Sequence, residues 1–261
     1  MNRHSKDASP TIAKHQLAWF DRYIRWYLPR NFHALRLLRL TDLQKVNGTP
    51  LLVCLNHPSW WDPLFALYLS RRFFPDRHHV APIAAAGLAK YKFFERLGFV
   101  GIEPGTYQGA SRFVNVGKAV LSQANGAFWV TAQGGFADVR RPVILERGIG
   151  YLTHRIGHFA MLPVALEYSF WNERYPEAFA CVGEVVWGSG QERSPADWTS
   201  LFTQSLQATV TTLSERVQQR NSRGWEQLFG GNAGVGGVYD FWRGTKARLQ
   251  GRHWRPEHGE R

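Results

Sequence analysis

LLVCLNHPSWWDPLFALYLSRR, Leu51 to Arg72, changes its hydrophobic pattern partway along. The unbroken apolar run at its start has the length and composition of a strand covered on both faces. The PLFALYLSRR half reads as a helix. Between them, Pro58 and Pro63 disfavour helical backbone at the residues before them, His57 and Asp62, so a turn joins strand to helix.

The same alternation continues in both directions. HVAPIAA, FVGIE, GAFWVTA, FAMLPVALEY and FACVGEVVW read as strands, while LAKYKFFERL, ASRFVNVGKAVLSQA and GIGYLTHRI read as helices, the last stopped near Gly157. Such an order predicts an α/β fold, a mostly parallel or mixed sheet flanked by helices, with functional groups at the carboxyl ends of the strands. Asn56 and His57 follow such an end. Ser194, Pro195 and Asp197 predict a capped start for the long helix SPADWTSLFTQSLQATVTTLSERVQQR. That signal is structural.

Three stretches are expected: a polar tail with amphipathic helices over 1–45, an α/β domain over 46–225, and a glycine-rich, then basic and aromatic segment over 226–261. In the first, Leu17, Phe20, Tyr23, Ile24, Tyr27 and Leu28 recur at helical spacing, with Arg22, Arg25 and Arg30 largely on other faces. Pro29 is expected to divide this segment into two short helices, Leu35, Leu38 and Leu40 belonging to the second. Their apolar faces suit either packing on the domain or lying on a membrane surface.

Lys and Arg number 32 against 20 Asp and Glu, a net charge of +12, which predicts an anionic partner: lipid headgroups, nucleic acid or a phosphorylated cofactor. The 11 Trp, 17 Phe and 9 Tyr tilt this toward membrane, because amphipathic rings beside Arg suit a headgroup interface. Nucleic acid is the weaker expectation. The N-terminus has no apolar core of a signal sequence, and no run approaches the roughly 20 apolar residues of a spanning helix. Both cysteines, Cys54 and Cys181, lie in apolar strand-like runs, which suits buried thiols in a reducing compartment.

His57 and Asp62 are the chemical candidates. An imidazole can take a proton from a hydroxyl near neutral pH, and a carboxylate on its other nitrogen fixes the tautomer and stabilises the imidazolium. Five positions apart on one helix they would point roughly 140° away from each other, so only a turn can pair them. The structural alternative makes Asp62 the N-cap of the following helix and His57 an ordinary loop residue. Trp60 and Trp61 suit an acyl groove or, better, core packing. His154 and His158 have metal-binding spacing, but no carboxylate or cysteine cluster accompanies them, so no metal is expected. Neither a G-x-S-x-G elbow, a P-loop nor a dinucleotide fingerprint is present.

LNHPSWWDPL resembles the N-H-x-x-x-x-D block of the glycerol-phosphate and lysophospholipid acyltransferase family. LAKYKFFERLGFVGIEPG is similar to the family's lysine-bearing helix and second block, with Lys90 and Gly98 matching. FWVTAQGGFADVR occupies the place of the third block, usually a strand ending in Pro-Glu-Gly, and MLPVALEY resembles the fourth. The likeness spans about residues 50 to 168. It implies an O-acyltransferase, with His57 as general base and Asp62 orienting it, moving an acyl group from acyl-CoA or acyl carrier protein to a lipid hydroxyl. Asn56, Lys90, Arg112, Gln133, Gly134, Gly135 and Arg140 are its implied substrate-binding residues. No cofactor beyond the thioester donor is implied, and the expected place is the cytoplasmic face of a membrane.

Two positions depart from the family. Pro104 stands where it usually has arginine, and Gln133 where it usually has glutamate. Both are associated with a phosphorylated acceptor, so either Arg112, Arg140 or Arg141 compensates, or the acceptor is another lipid hydroxyl. Gln133 keeps hydrogen-bonding capacity and loses the charge. The rival expectation from another class is an inactive membrane-surface or nucleic-acid binding protein on the same fold.

Overall fold

A computed structural model of the chain describes residues 10–233. The expected polar start over 1–9 and the basic aromatic end beyond 233 lie outside the described residues. The fold is mixed α/β, built on a nine-stranded sheet flanked by helices. The strands are β1 (Ala34–Arg39), β2 (Leu51–Leu55), β3 (His78–Ala84), β4 (Phe99–Ile102), β5 (Gly126–Thr131), β6 (His158–Ser169), β7 (Glu177–Val182), β8 (Val186–Ser189) and β9 (Glu226–Gly230). Their order is β4-β3-β5-β2-β6-β7-β1-β9, with β8 pairing the start of β6. From β4 to β6 every pairing is parallel, whereas β6 with β7 and β1 with β9 are antiparallel.

The helices are α1 (Lys14–Asn31), α2 (Asp62–Phe73), α3 (Ala85–Lys90), α4 (Tyr107–Leu121), α5 (Gly148–Thr153) and α6 (Pro195–Gln218). Two apolar layers lie on opposite faces of the sheet, and the period-two alternation of the strands divides their residues between them. In β2, Leu51, Val53 and Leu55 join the layer containing α1 and α2, while Leu52 and Cys54 join the layer containing α4, α5 and α6. Both cysteines are buried and unpaired, and burial pushes the Cys181 thiol up to about 12.

Several elements differ from the sequence expectation. Pro29 does not divide the N-terminal segment: α1 continues to Asn31, and Leu35 and Leu38 lie in β1, not in a second helix. Pairing with β7 on one side and β9 on the other satisfies the β1 backbone, and Arg36 forms a largely buried ion pair with Glu177 of β7. The sheet therefore draws strands from both sides of the 46–225 span. LAKYKFFERL is not one helix either, since α3 ends at Lys90 and a 3-10 turn, Lys92–Leu97, follows Tyr91. Gly98 closes that turn at φ 99°, where a Cβ would strike the His79 carbonyl. FACVGEVVW is broken into β7 and β8, which pair with opposite ends of β6, and α5 closes at Thr153, before Gly157. Gly183 sits at the break, where a Cβ would meet Thr209 of α6 and Pro163 of β6. The capped start of α6 is present, with Ser194 Oγ accepting from the Asp197 N–H.

Candidate active site at the ends of three parallel strands

Register brings the site together. Leu55, the last residue of β2, pairs with Thr131 of β5 on one side and Val164 of β6 on the other. Two residues further along from each come His57, Gln133 and Leu166. Each neighbour then holds the loop after β2. The Asn56 amide donates to the Leu166 carbonyl at 2.9 Å and accepts from its N–H at 2.7 Å, continuing the ladder by a side chain after the strand has ended. Gln133 Oε1 accepts from the His57 N–H at 3.0 Å, and the Ala137 N–H donates to the His57 carbonyl at 2.9 Å.

The turn that sequence requires is present. His57 Nδ1 lies 2.6 Å from Asp62 Oδ2. Asp62 is only 1% exposed, and its carboxylate also accepts from the Ser59 N–H at 3.0 Å and from Tyr168 Oη at 2.7 Å. A carboxylate surrounded by donors takes the proton-bearing nitrogen of the imidazole, so Nδ1 donates and Nε2 carries the lone pair. Asp62 is not the N-cap of the structural alternative. It is the first residue of α2, the cap position is Trp61 without a side-chain bond, and the carboxylate reaches back over the preceding loop. The helix N-terminus favours that negative charge. Burial, then the Asp62 charge and the bond donated to it, hold the Tyr168 phenol well above its ordinary range, so it remains a donor.

An apolar ring flanks the imidazole. The Phe136 ring, 66% exposed, lies 4.4 Å centroid to centroid from that of His57. Trp60 is exposed, whereas Trp61 packs on Phe32 and Tyr27 as a core residue would.

The other sequence candidates fall into different places. Asn56 is buried with both ends of its amide used on Leu166, so it fastens the loop. Gly134 has φ 74°, which turns the chain after β5, and a Cβ there would lie 2.9 Å from Glu146 Cγ; Gly135 borders open space. Arg140 forks onto Asp138 at 2.8 and 2.6 Å in an exposed turn, and this pairing holds the Asp138 carboxyl well below the usual carboxylate range. Lys90 ends α3 with its Nζ 5.4 Å from the Tyr91 ring centroid. Arg112 lies half-buried on α4, its Nε buried without a hydrogen-bond partner. None of the hydrogen bonds or ion pairs among the described residues joins Lys90, Arg112 or Arg140 to His57 and Asp62. Among these residues no three His, Cys, Asp or Glu side chains converge as a metal site requires. Tyr168 and Ala137 were not among the sequence candidates. Tyr168 closes the strand of the fourth block, but its reach to Asp62 depends on the packing of β6 beside β2.

Comparison with solved structures adds a likeness of fold. The fold is similar to that of the 1-acyl-sn-glycerophosphate (LPA) acyltransferase PlsC from Thermotoga maritima, with a TM-score of 0.51 over 77% of this chain and 79% of that one. The two are 14% identical, so the likeness is one of fold. No protein-family model matches the sequence, and no curated protein matches it.

Proposed function

We propose that the protein is an O-acyltransferase that moves a fatty acyl group from a thioester donor, acyl-CoA or acyl carrier protein, to a lipid-associated hydroxyl. The observation that carries this reading is the His57–Asp62–Tyr168 relay at the strand ends, within a fold similar to that of PlsC. His57 Nε2 accepts the proton of the acceptor hydroxyl as its oxygen attacks the thioester carbonyl. The carbon–oxygen bond forms, the carbon–sulfur bond breaks, and the imidazolium returns the proton to the departing sulfur. Asp62 steadies the imidazolium, and Tyr168 and the Ser59 N–H steady Asp62. Holding the two substrates together supplies the remaining rate enhancement.

The protein works from a membrane surface in this proposal, on its inner face. Leu17, Phe20, Ile24 and Leu28 turn one side of α1 into the core, which leaves Trp19 and Trp26 more than half exposed beside Arg22 and Arg30. Ring contacts of 5.2 to 6.0 Å run from Trp19 through Tyr23 and Tyr27 to Trp61 and Trp60, in the loop that carries His57. Amphipathic rings with arginines suit the headgroup layer. Among the described residues no helix is long and apolar enough to cross a membrane.

Comparing lipid extracts from cells expressing the wild type and His57→Ala tests the reaction and the acceptor together. A species acylated only by the wild type supports the proposal. Identical acylated lipids with a normally folded variant would sink it, and tight duplex binding with a steep salt dependence would favour a nucleic-acid binding role instead.

A further inference from the structure

Backbone groups that follow a strand end lose their ladder partners, and a catalytic residue in such a place needs other bonds to hold it. At His57 both backbone groups are held by one short segment, residues 132–137. Gln133 Oε1 takes the N–H at 3.0 Å, the Ala137 N–H holds the carbonyl at 2.9 Å, and the Phe136 ring lies against the imidazole. Only the oxygen of a carboxamide can accept from an N–H, so the orientation of Gln133 is set. The segment is itself anchored: the Glu146 N–H donates to the Ala132 carbonyl at 2.8 Å, and Gly134 at φ 74° turns the chain back against the Glu146 side chain.

We propose that residues 132–137 form a clamp that sets the position of His57, and that Gln133 is its positioning residue, not a ligand of the acceptor. The proposal rests on the acyltransferase reading. It also explains how a neutral residue suits this place. Among the described residues, the titratable group bonded to the imidazole is Asp62 on α2, itself bonded to Tyr168 on β6, while Phe136 contributes no charge. A glutamate at position 133 would accept the same bond but add a second negative charge beside the histidine. Extra negative charge favours the imidazolium, which cannot act as a base.

The test uses the full chain with palmitoyl-CoA as donor and monooleoylglycerol as acceptor, thiol release as the rate, and nitrogen NMR of the His57 ring. Gln133→Met, of similar size but without the acceptor oxygen, is expected to lower kcat roughly 10- to 100-fold with acceptor KM nearly unchanged. In Gln133→Glu, which keeps an acceptor oxygen, kcat on its plateau stays near the wild-type value, whereas the His57 ring nitrogen shifts are displaced in Gln133→Met. A raised acceptor KM with unchanged kcat in either variant overturns the clamp. So do ring nitrogen shifts in Gln133→Met identical to those of the wild type. If the wild type releases no thiol under any condition yet the ring nitrogen shifts are displaced in Gln133→Met, the acyltransferase reading fails and the clamp stands.

Discussion

Tyr168 Oη donates to Asp62 Oδ1 at 2.7 Å, joining residues 106 positions apart. The bond makes the end of β6 part of the machinery that holds His57. Tyr168→Phe leaves a buried carboxylate oxygen without its donor. Denaturant unfolding is expected to show a loss of about 1–3 kcal/mol, and thioester turnover a fall in kcat of up to roughly tenfold with little change in KM.

His57→Ala and Asp62→Asn are each expected to lower kcat by about 10²–10⁴-fold, the usual worth of a general base held in the right tautomer. In the proposed mechanism the two groups act as a unit, so the double variant should be about as slow as the slower single one. Thiol release measured for all three decides this, and additive losses would argue against a shared role.

Asn56→Ala orphans the N–H and the carbonyl of Leu166 in a buried place. Each orphaned group costs about 1–3 kcal/mol, so a clear drop in Tm is expected. Asn56→Asp should be no milder at neutral pH, because a carboxylate cannot donate to the Leu166 carbonyl and would be buried charged.

Replacing Trp19 and Trp26 together by Ala removes exposed rings that contribute little to the core. Sedimentation with phosphatidylglycerol-containing vesicles is expected to show binding weakened about tenfold or more, with stability changed by only ~0.5 kcal/mol per site. Equal binding to phosphatidylcholine and phosphatidylglycerol vesicles by the wild type would remove the charge part of this prediction.

His79 gives the fold a pH dependence. Its ring is buried with Nε2 on the Phe74 carbonyl at 2.7 Å and Nδ1 accepting from Trp129 Nε1 at 3.0 Å, an arrangement only the neutral imidazole can satisfy. Burial lowers its pKa from 6.5 to about 4. Between those values the unfolded chain binds the extra proton and the folded one does not, so stability is lost as pH falls through this window. The full loss is roughly 3 kcal/mol. Urea titrations at pH 7 and pH 4.5 should show it, and His79→Gln should flatten the difference.

Much of this molecule is legible along the chain. LLVCLNHPSWWDPL contains a covered strand, a proline-bounded turn and a helix start, and those local signals place His57 within reach of Asp62. Backbone restrictions from proline and the period of apolar residues act over a few positions, so they survive without knowledge of the fold. The strand at Ala34–Arg39 did not, because its apolar residues fit a helix as well, and only pairing with β7 and β9 decides between them. The same holds at the site. Gln133 and Tyr168 come from the ends of β5 and β6, and their bonds to His57 and Asp62 exist because parallel register aligns those ends with that of β2. Sequence by itself determined the pairing of His57 with Asp62 and the strand–turn–helix that presents it. Tertiary structure alone decided which groups hold that pair, since hydrogen bonds across neighbouring strands depend on register, and register is set by how whole strands pack.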